Sequence, residues 1–154
     1  MPIDHRAIQM RILGALNAHN YDEWETFVTE DYTEEYPQSG EVIRGRKNVR
    51  AVLENYPGGL AKLSLDVSTA RMAATEARWV KTPTFTMVRV EGSGNVGTAA
   101  FKARYPDETV WWVINLYELR GDLVAKNTAF FAPLFEAPEW RKPYAERSEA
   151  MPKP

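Results

Sequence analysis

The spacing of apolar residues changes midway along this chain. In "IDHRAIQMRILGALNAHN", Ile8, Ile12, Ala15 and Leu16 recur at helical intervals and form one stripe, with Asp4 placed as N-cap. "HN" at 19–20 ends that helix, since Asn tolerates the left-handed cap conformation. "YDEWETFVTED" predicts a second, shorter helix, with Trp24, Phe27 and Val28 on one face and acidic residues on the other. "DYTEEYPQSGEVIRG" starts as a strand. Tyr32, Glu34 and Tyr36 share one face, Thr33, Glu35 and Pro37 the other, until Pro37 and "QSG" break it. "RKNVRAVLENY" predicts a third helix with Val49, Val52, Leu53 and Tyr56 inward, and "PGG" at 57–59 stops it.

Beyond residue 60 the period becomes two. "AKLSLDVST" alternates Leu63, Leu65 and Val67 against polar residues, as a half-buried strand does. "RWVKTPTFTMVRVEG" is a long extended run in which Pro83 marks an edge or a bulge. "SGN", "PDET" and "RGD" are turns between "VGTAAFKARY", "TVWWVINLYEL" and "LVAKNTAFF", which predicts hairpin partners. Helices first and antiparallel strands afterwards indicate an α+β fold, the helices packed on one face of a curved sheet. There is no internal repeat and no linker. Residues 1–154 read as a single domain, with 132–154 as a proline-rich C-terminal tail.

"TVWWVINLYEL" is apolar on both faces. Trp111, Val113, Asn115 and Tyr117 lie on one side, and Val110, Trp112, Ile114 and Leu116 on the other. A sheet with water on its second face should carry polar residues there. That face therefore needs a cover, and a homodimer through it is the expectation.

A length of 154 residues suits one domain with a real core. A net charge of −2 supplies no basic field for nucleic acid or anionic lipid, so neither is expected as a partner. With no cysteine there is no disulfide, thiolate metal site or cysteine nucleophile. The N-terminus lacks the pattern of a signal peptide, and no apolar run reaches membrane-span length. A cytoplasmic protein is the expectation.

The order of elements and the residues themselves resemble the nuclear-transport-factor-2-like superfamily, SnoaL-like branch, with its polyketide cyclases, ketosteroid isomerases, scytalone dehydratases and limonene-epoxide hydrolases. "ALNAHNYDEWETFVTEDYTEEYP" (15–37) is similar to the helix–helix–strand opening of the isomerases. "YPQSGEVIRGRKNVRAVLENYPGG", "WVKTPTFTMVRVEGSG" and "FFAPLFEAPEWR" resemble a bacterial group of the superfamily. The resemblance implies a cone: a strongly curved, mixed but mainly antiparallel sheet around three helices of the N-terminal half, with a pocket between them. It does not carry over the isomerase chemistry. The general-base aspartate falls on Tyr36, the oxyanion tyrosine on Ile12 and the protonated aspartate on Asn115. No Asp-Arg-Asp relay of the epoxide hydrolases is visible. His5 and His19, the only histidines, are not placed to point into a cone, which disfavours a histidine base or a histidine metal site.

The same alignment implies that Tyr36, Asn115, Lys126 and Thr128 face inward. Alternation adds Glu34, Trp111 and Phe130, and the helices add Trp24 and Tyr56. This is the composition of a small-molecule site. Glu34 is the candidate acid or base, with Tyr36 and Asn115 as hydrogen-bond donors. Trp24, Tyr56, Trp111, Lys126, Thr128 and Phe130 are the ligand-binding candidates. Two alternatives stand beside this: Glu34 pairs with Lys126 or an arginine and merely closes the cone, or a bulge near Pro37 turns Glu35 inward instead. "GSGN" at 92–95 is a turn and not a phosphate loop, and Arg44, Arg46, Lys47 and Arg50 mark a solvated helix start. Three functions remain open: a cofactor-independent acid/base enzyme on a small apolar oxygenated substrate, a non-catalytic binder of a hydrophobic metabolite, and a dimeric interaction module with a filled core. No metal or cofactor is implied.

Overall fold

The computed structural model describes residues 2–57, 80–81, 85–105 and 107–147. The predicted strand over "AKLSLDVST" and Pro83 lie outside the described residues.

Helix α1 spans His5–Asn17, and the Asp4 carboxylate accepts from the Ala7 backbone N–H at its start. Its buried side includes Ile8, Leu13 and Ala15, with Ile12 and Leu16 packed beside them. The left-handed residue after α1 is His19 (φ 53°), not Asn20. Asn20 instead caps α2, Tyr21–Glu25, by accepting from the Glu23 N–H. Helix α2 is shorter than the sequence pattern suggested, because Val28 already opens β1, Val28–Tyr36. A two-period run and a helical run both accommodate Trp24, Phe27 and Val28, and pairing of Val28 with Val124 decides for the strand.

The stretch after the Pro37 turn forms β2, Glu41–Arg44, antiparallel to β1, which the sequence pattern did not reveal. Helix α3, Arg46–Glu54, buries Val49 and half-buries Leu53, but Val52 points out. Arg50 binds Asp22 at 2.6 Å and Glu54 at 2.7 Å, and stands 3.5 Å from Glu25, clamping α3 to α2. Arg46 reaches the Glu25 carbonyl at 3.3 Å. Two members of the basic cluster therefore serve the helix pair and are not simply solvated.

The remaining strands are β3 (Val80–Lys81), β4 (Phe85–Ser93), β5 (Val96–Arg104), β6 (Val110–Arg120) and β7 (Leu123–Pro133). The sheet order is β2-β1-β7-β6-β5-β4-β3. Among the described strands only the β1–β7 pair is parallel, so the sheet is mixed and mainly antiparallel. After β7 the described part of the tail holds a 3-10 segment, Glu139–Tyr144.

Helix α1 packs on β4, whereas α2 and α3 pack on β1, near the opposite edge of the same sheet. The sheet therefore wraps its helices. Trp24, Val28, Tyr32, Val49, Val113, Tyr117, Leu119 and Val124 form the core between them. At the narrow end two rings lie on glycines. The His5 ring covers Gly92, where a Cβ would come within 2.7 Å of it, and the Tyr117 ring covers its cross-strand partner Gly97 so closely that a Cβ would overlap the phenol. The "GSGN" stretch is a hairpin turn, as expected, and the glycines at 92 and 97 let these rings settle.

Candidate functional site

The β1 alternation survives intact in the structure. Tyr32 is buried, Glu34 and Tyr36 follow on the same inner face, and Thr33 and Glu35 face outward. Glu34 receives two hydrogen bonds. Tyr36 donates its hydroxyl to Oε2 at 3.1 Å, and Asn127 donates Nδ2 to Oε1 at 3.1 Å. Glu35 binds Lys126 Nζ at 3.1 Å and accepts from Thr128 Oγ1 at 3.2 Å on the other side of the sheet. The question of which glutamate faces the pocket is thus answered by Glu34, and Lys126 pairs with Glu35 and not with Glu34.

Three expected pocket residues are misplaced by one register. Lys126, Thr128 and Phe130 lie on the outer face, opposite Glu118, Leu116 and Ile114. The cause is a β-bulge in β7: Leu119 pairs with Val124, but Glu118 pairs with Lys126, leaving an extra residue between. Val124 faces in, and after the bulge the parity reverses, so Asn127, Ala129 and Phe131 face in. Asn127 is the cavity residue that sequence reasoning missed. The signal was Asn127 beside an odd-parity run of Asn127, Ala129 and Phe131, weak until the bulge is known.

Glu34 opens onto a small cavity of about 70 Å³, walled by Trp24, Tyr32, Val49, Asn115, Tyr117, Asn127 and residues of α1. Trp24 and Asn115 are where the sequence placed them. Asn127 Oδ1 and Asn115 Oδ1 are both buried without a hydrogen-bond partner. A buried acceptor left unpaired is costly, so these atoms call for a donor in the cavity. No Lys or Arg is among the described residues lining it.

The electrostatics follow from that setting. Glu34 as a residue is half-buried, but protein and not water surrounds its carboxylate. Desolvation pushes its pKa up, and the hydrogen bonds from Asn127 and Tyr36 counter only part of this. Burial, with the Glu34 charge added, raises the Tyr36 and Tyr32 phenols, so both stay protonated. Glu35, half-buried on the outer face and bonded to Lys126, is lowered and stays ionised.

Beyond Tyr36 the cone widens. The Tyr36 ring meets Phe131 edge-on at 5.3 Å. Phe131, Tyr56, Tyr105 and Trp111 then wall a second, larger pocket of about 310 Å³, with Asp107 and Thr109 at its rim. Tyr56 and Trp111 line this second pocket and not the cavity at Glu34.

His5, on α1, is outside the cavity lining. It is buried, with Nε2 2.9 Å from the Gly94 carbonyl and Nδ1 2.9 Å from the Tyr117 hydroxyl. A carbonyl can only accept, so Nε2 carries a proton and donates it to Gly94, while Nδ1 faces the Tyr117 hydroxyl. The histidine does not line the cavity, but it orients a phenol that does. Burial pushes Tyr117 up to about 12 against a hydrogen bond from Gln9. His19 packs near Tyr21, away from the cavity. Among the described residues no group of three His, Cys, Asp or Glu could hold a metal ion. No described helix is long and apolar enough to cross a membrane.

Helices enclosed by a bent, mixed and mainly antiparallel sheet are the architecture of the nuclear-transport-factor-2-like α+β cones. The chain belongs to the SnoaL-like domain family, whose profile matches residues 10–127. No curated protein matches it in sequence. Among solved structures, it is similar to an NTF-2 like protein of unknown function from Burkholderia xenovorans, at 25% identity and a TM-score of 0.70 over 93% of this chain and 94% of that one. A Kribbella flavida protein described as a candidate ketosteroid isomerase shares 22% identity and a TM-score of 0.68, over 95% and 90%. A Mycobacterium tuberculosis LEH-like epoxide hydrolase shares 12% and 0.54, over 81% and 80%. The last two are likenesses of fold.

Proposed function

We propose that this protein is a cofactor-independent acid/base enzyme acting on a small, apolar, oxygenated molecule, with Glu34 as the proton-transfer group. The observation that carries the reading is Glu34 itself: a desolvated carboxylate, held by two neutral donors, at the wall of a cavity whose described lining has no cation. A carboxylate raised from its ordinary value is a stronger base when ionised and a usable acid when protonated. Tyr36 and Asn127 fix its orientation. Asn115, with its amide on the same cavity, would position a substrate oxygen or a water. The reaction would be an isomerisation, dehydration, cyclisation or hydrolysis.

The first half of most such reactions is proton removal from carbon. In D2O, the wild type should exchange the α-hydrogens of some small cyclic ketone in a panel, followed by proton NMR. Glu34→Gln should slow that exchange by about 10²–10⁴-fold. Equal exchange by the two proteins contradicts the reading.

A non-catalytic binder is the second reading, favoured by the aromatic mouth being larger than the cavity at Glu34. Under it, Glu34→Gln leaves ligand affinity unchanged while Trp111→Ala weakens it. For either reading we propose a homodimer through the outer sheet face, where Val96, Ile114 and Leu116 are 50%, 40% and 46% exposed.

A further inference from the structure

The mouth of the cone has a chemistry of its own. Tyr56 stacks on Tyr105 with centroids 5.6 Å apart and 22° between planes. Tyr105 meets Trp111 at 6.4 Å and 89°, so two walls stand at a right angle. Phe131 closes a further side. The rings are held in place beforehand. Trp111 donates Nε1–H to Thr109 Oγ1 at 3.0 Å, and Thr109 donates in turn to Asp107 Oδ1 at 2.5 Å. The Thr109 N–H also reaches that carboxylate, at 3.0 Å. Tyr105 N–H bonds the Thr109 carbonyl at 2.9 Å, and Glu108 N–H the Tyr105 carbonyl at 2.9 Å. The β5–β6 turn thus ties both rings and the acid to one frame.

Among the described residues lining the mouth, the charged one is Asp107. Asp107 is exposed, and its hydrogen bonds from Thr109 lower its pKa, so it is ionised. Its field reaches the Tyr56 phenol, which burial and then Asp107 raise. The described lining contains no cation. Aromatic faces at right angles with a carboxylate at the rim attract a positive charge that is weakly hydrated, through the negative ring faces and the counter-charge together.

We propose that this mouth is an aromatic cage for the alkylammonium group of a small organic cation, seated between Tyr105 and Trp111 with Asp107 as its rim counter-charge. A hydrophobic pocket alone would not carry this inference. The rigid perpendicular rings and the fixed carboxylate select charge as well as shape. The inference goes beyond the Glu34 reading and does not depend on it, because the cage is built from other residues.

The test uses choline and its uncharged isostere 3,3-dimethylbutan-1-ol as probes on the full chain. The reporter is the Trp111 indole N–H resonance, assigned with Trp111→Phe. Choline should shift it saturably and bind at least about fivefold tighter than the isostere. Asp107→Asn should lower choline affinity by about two- to fivefold and leave the isostere unchanged. Tyr105→Leu should remove the preference for charge. If Tyr105→Leu does not fold, the exposed Asp107→Asn substitution still decides. Equal binding of the two probes, tighter binding of the isostere, or no saturable shift with either overturns the cage. Glu34 is not among the residues lining the mouth, and choline binding is read without the ketone. Failure here and failure of ketone exchange are therefore separate results.

Discussion

Glu34 is the residue on which the functional account rests, and its pKa has a thermodynamic sign. A carboxyl whose folded pKa lies above its ordinary 4.5 binds its proton more tightly in the folded state than in the unfolded one. Its contribution to stability is therefore complete below the unfolded value and is lost as pH rises through the folded value. At neutral pH the ionised, desolvated form opposes folding, and two hydrogen bonds to the carboxylate offset only part of that. This residue was legible in the sequence, because β1 runs without interruption between Tyr32 and Tyr36 and alternation alone sets its faces. Asn127 was not legible in the same way. Alternation along β7 is broken by one extra residue, and a bulge leaves no unambiguous mark in "LVAKNTAFF". The same extra residue sent Lys126, Thr128 and Phe130 outward.

At the scale of elements, the narrow end of the cone is a lock between the start of α1 and the β4–β5 hairpin. Asp4 caps the helix, His5 bridges the Gly94 carbonyl and the Tyr117 hydroxyl, and both rings need bare backbone beneath them. Gly97→Ala should thus destabilise the protein by about 1–3 kcal/mol, by overpacking against Tyr117. Gly14→Ala, on an exposed stretch of α1 with open space around it, should stabilise by roughly 0.5–1 kcal/mol. Urea denaturation of the two variants beside the wild type checks both, and a Gly97→Ala protein as stable as the wild type would contradict the lock. Turn chemistry made the hairpins visible from sequence. Nothing local announced β2, whose four residues become a strand only by pairing with β1, nor the partners of His5, which lie in a different half of the chain.

At the scale of the whole molecule, the two faces of β6 have different fates. Val113, Tyr117 and Leu119 are buried inside the cone, while Ile114 and Leu116 are exposed beside Val96, with Trp112 and Phe130 half-buried near them. The salt-bridged pair Glu35–Lys126 lies on the same outer face. An apolar band bordered by charge is the pattern of a self-complementary interface. Leu116→Lys should shift the protein from dimer to monomer in sedimentation velocity at micromolar concentration, with the fold retained by circular dichroism. A wild type that sediments as a monomer contradicts the dimer. The class of the fold followed from the order of helices and strands, since helices first and hairpins after leave few other ways to bury both.

The central claim is that a carboxylate sits away from water inside the cone, and its titration measures this directly. With selectively carbon-13-labelled glutamate, the Glu34 carboxyl resonance, assigned with Glu34→Gln, can be followed against pH. The account requires a midpoint above the ordinary 4.5. A midpoint at or below that value, as for the solvent-facing Glu35, would contradict it.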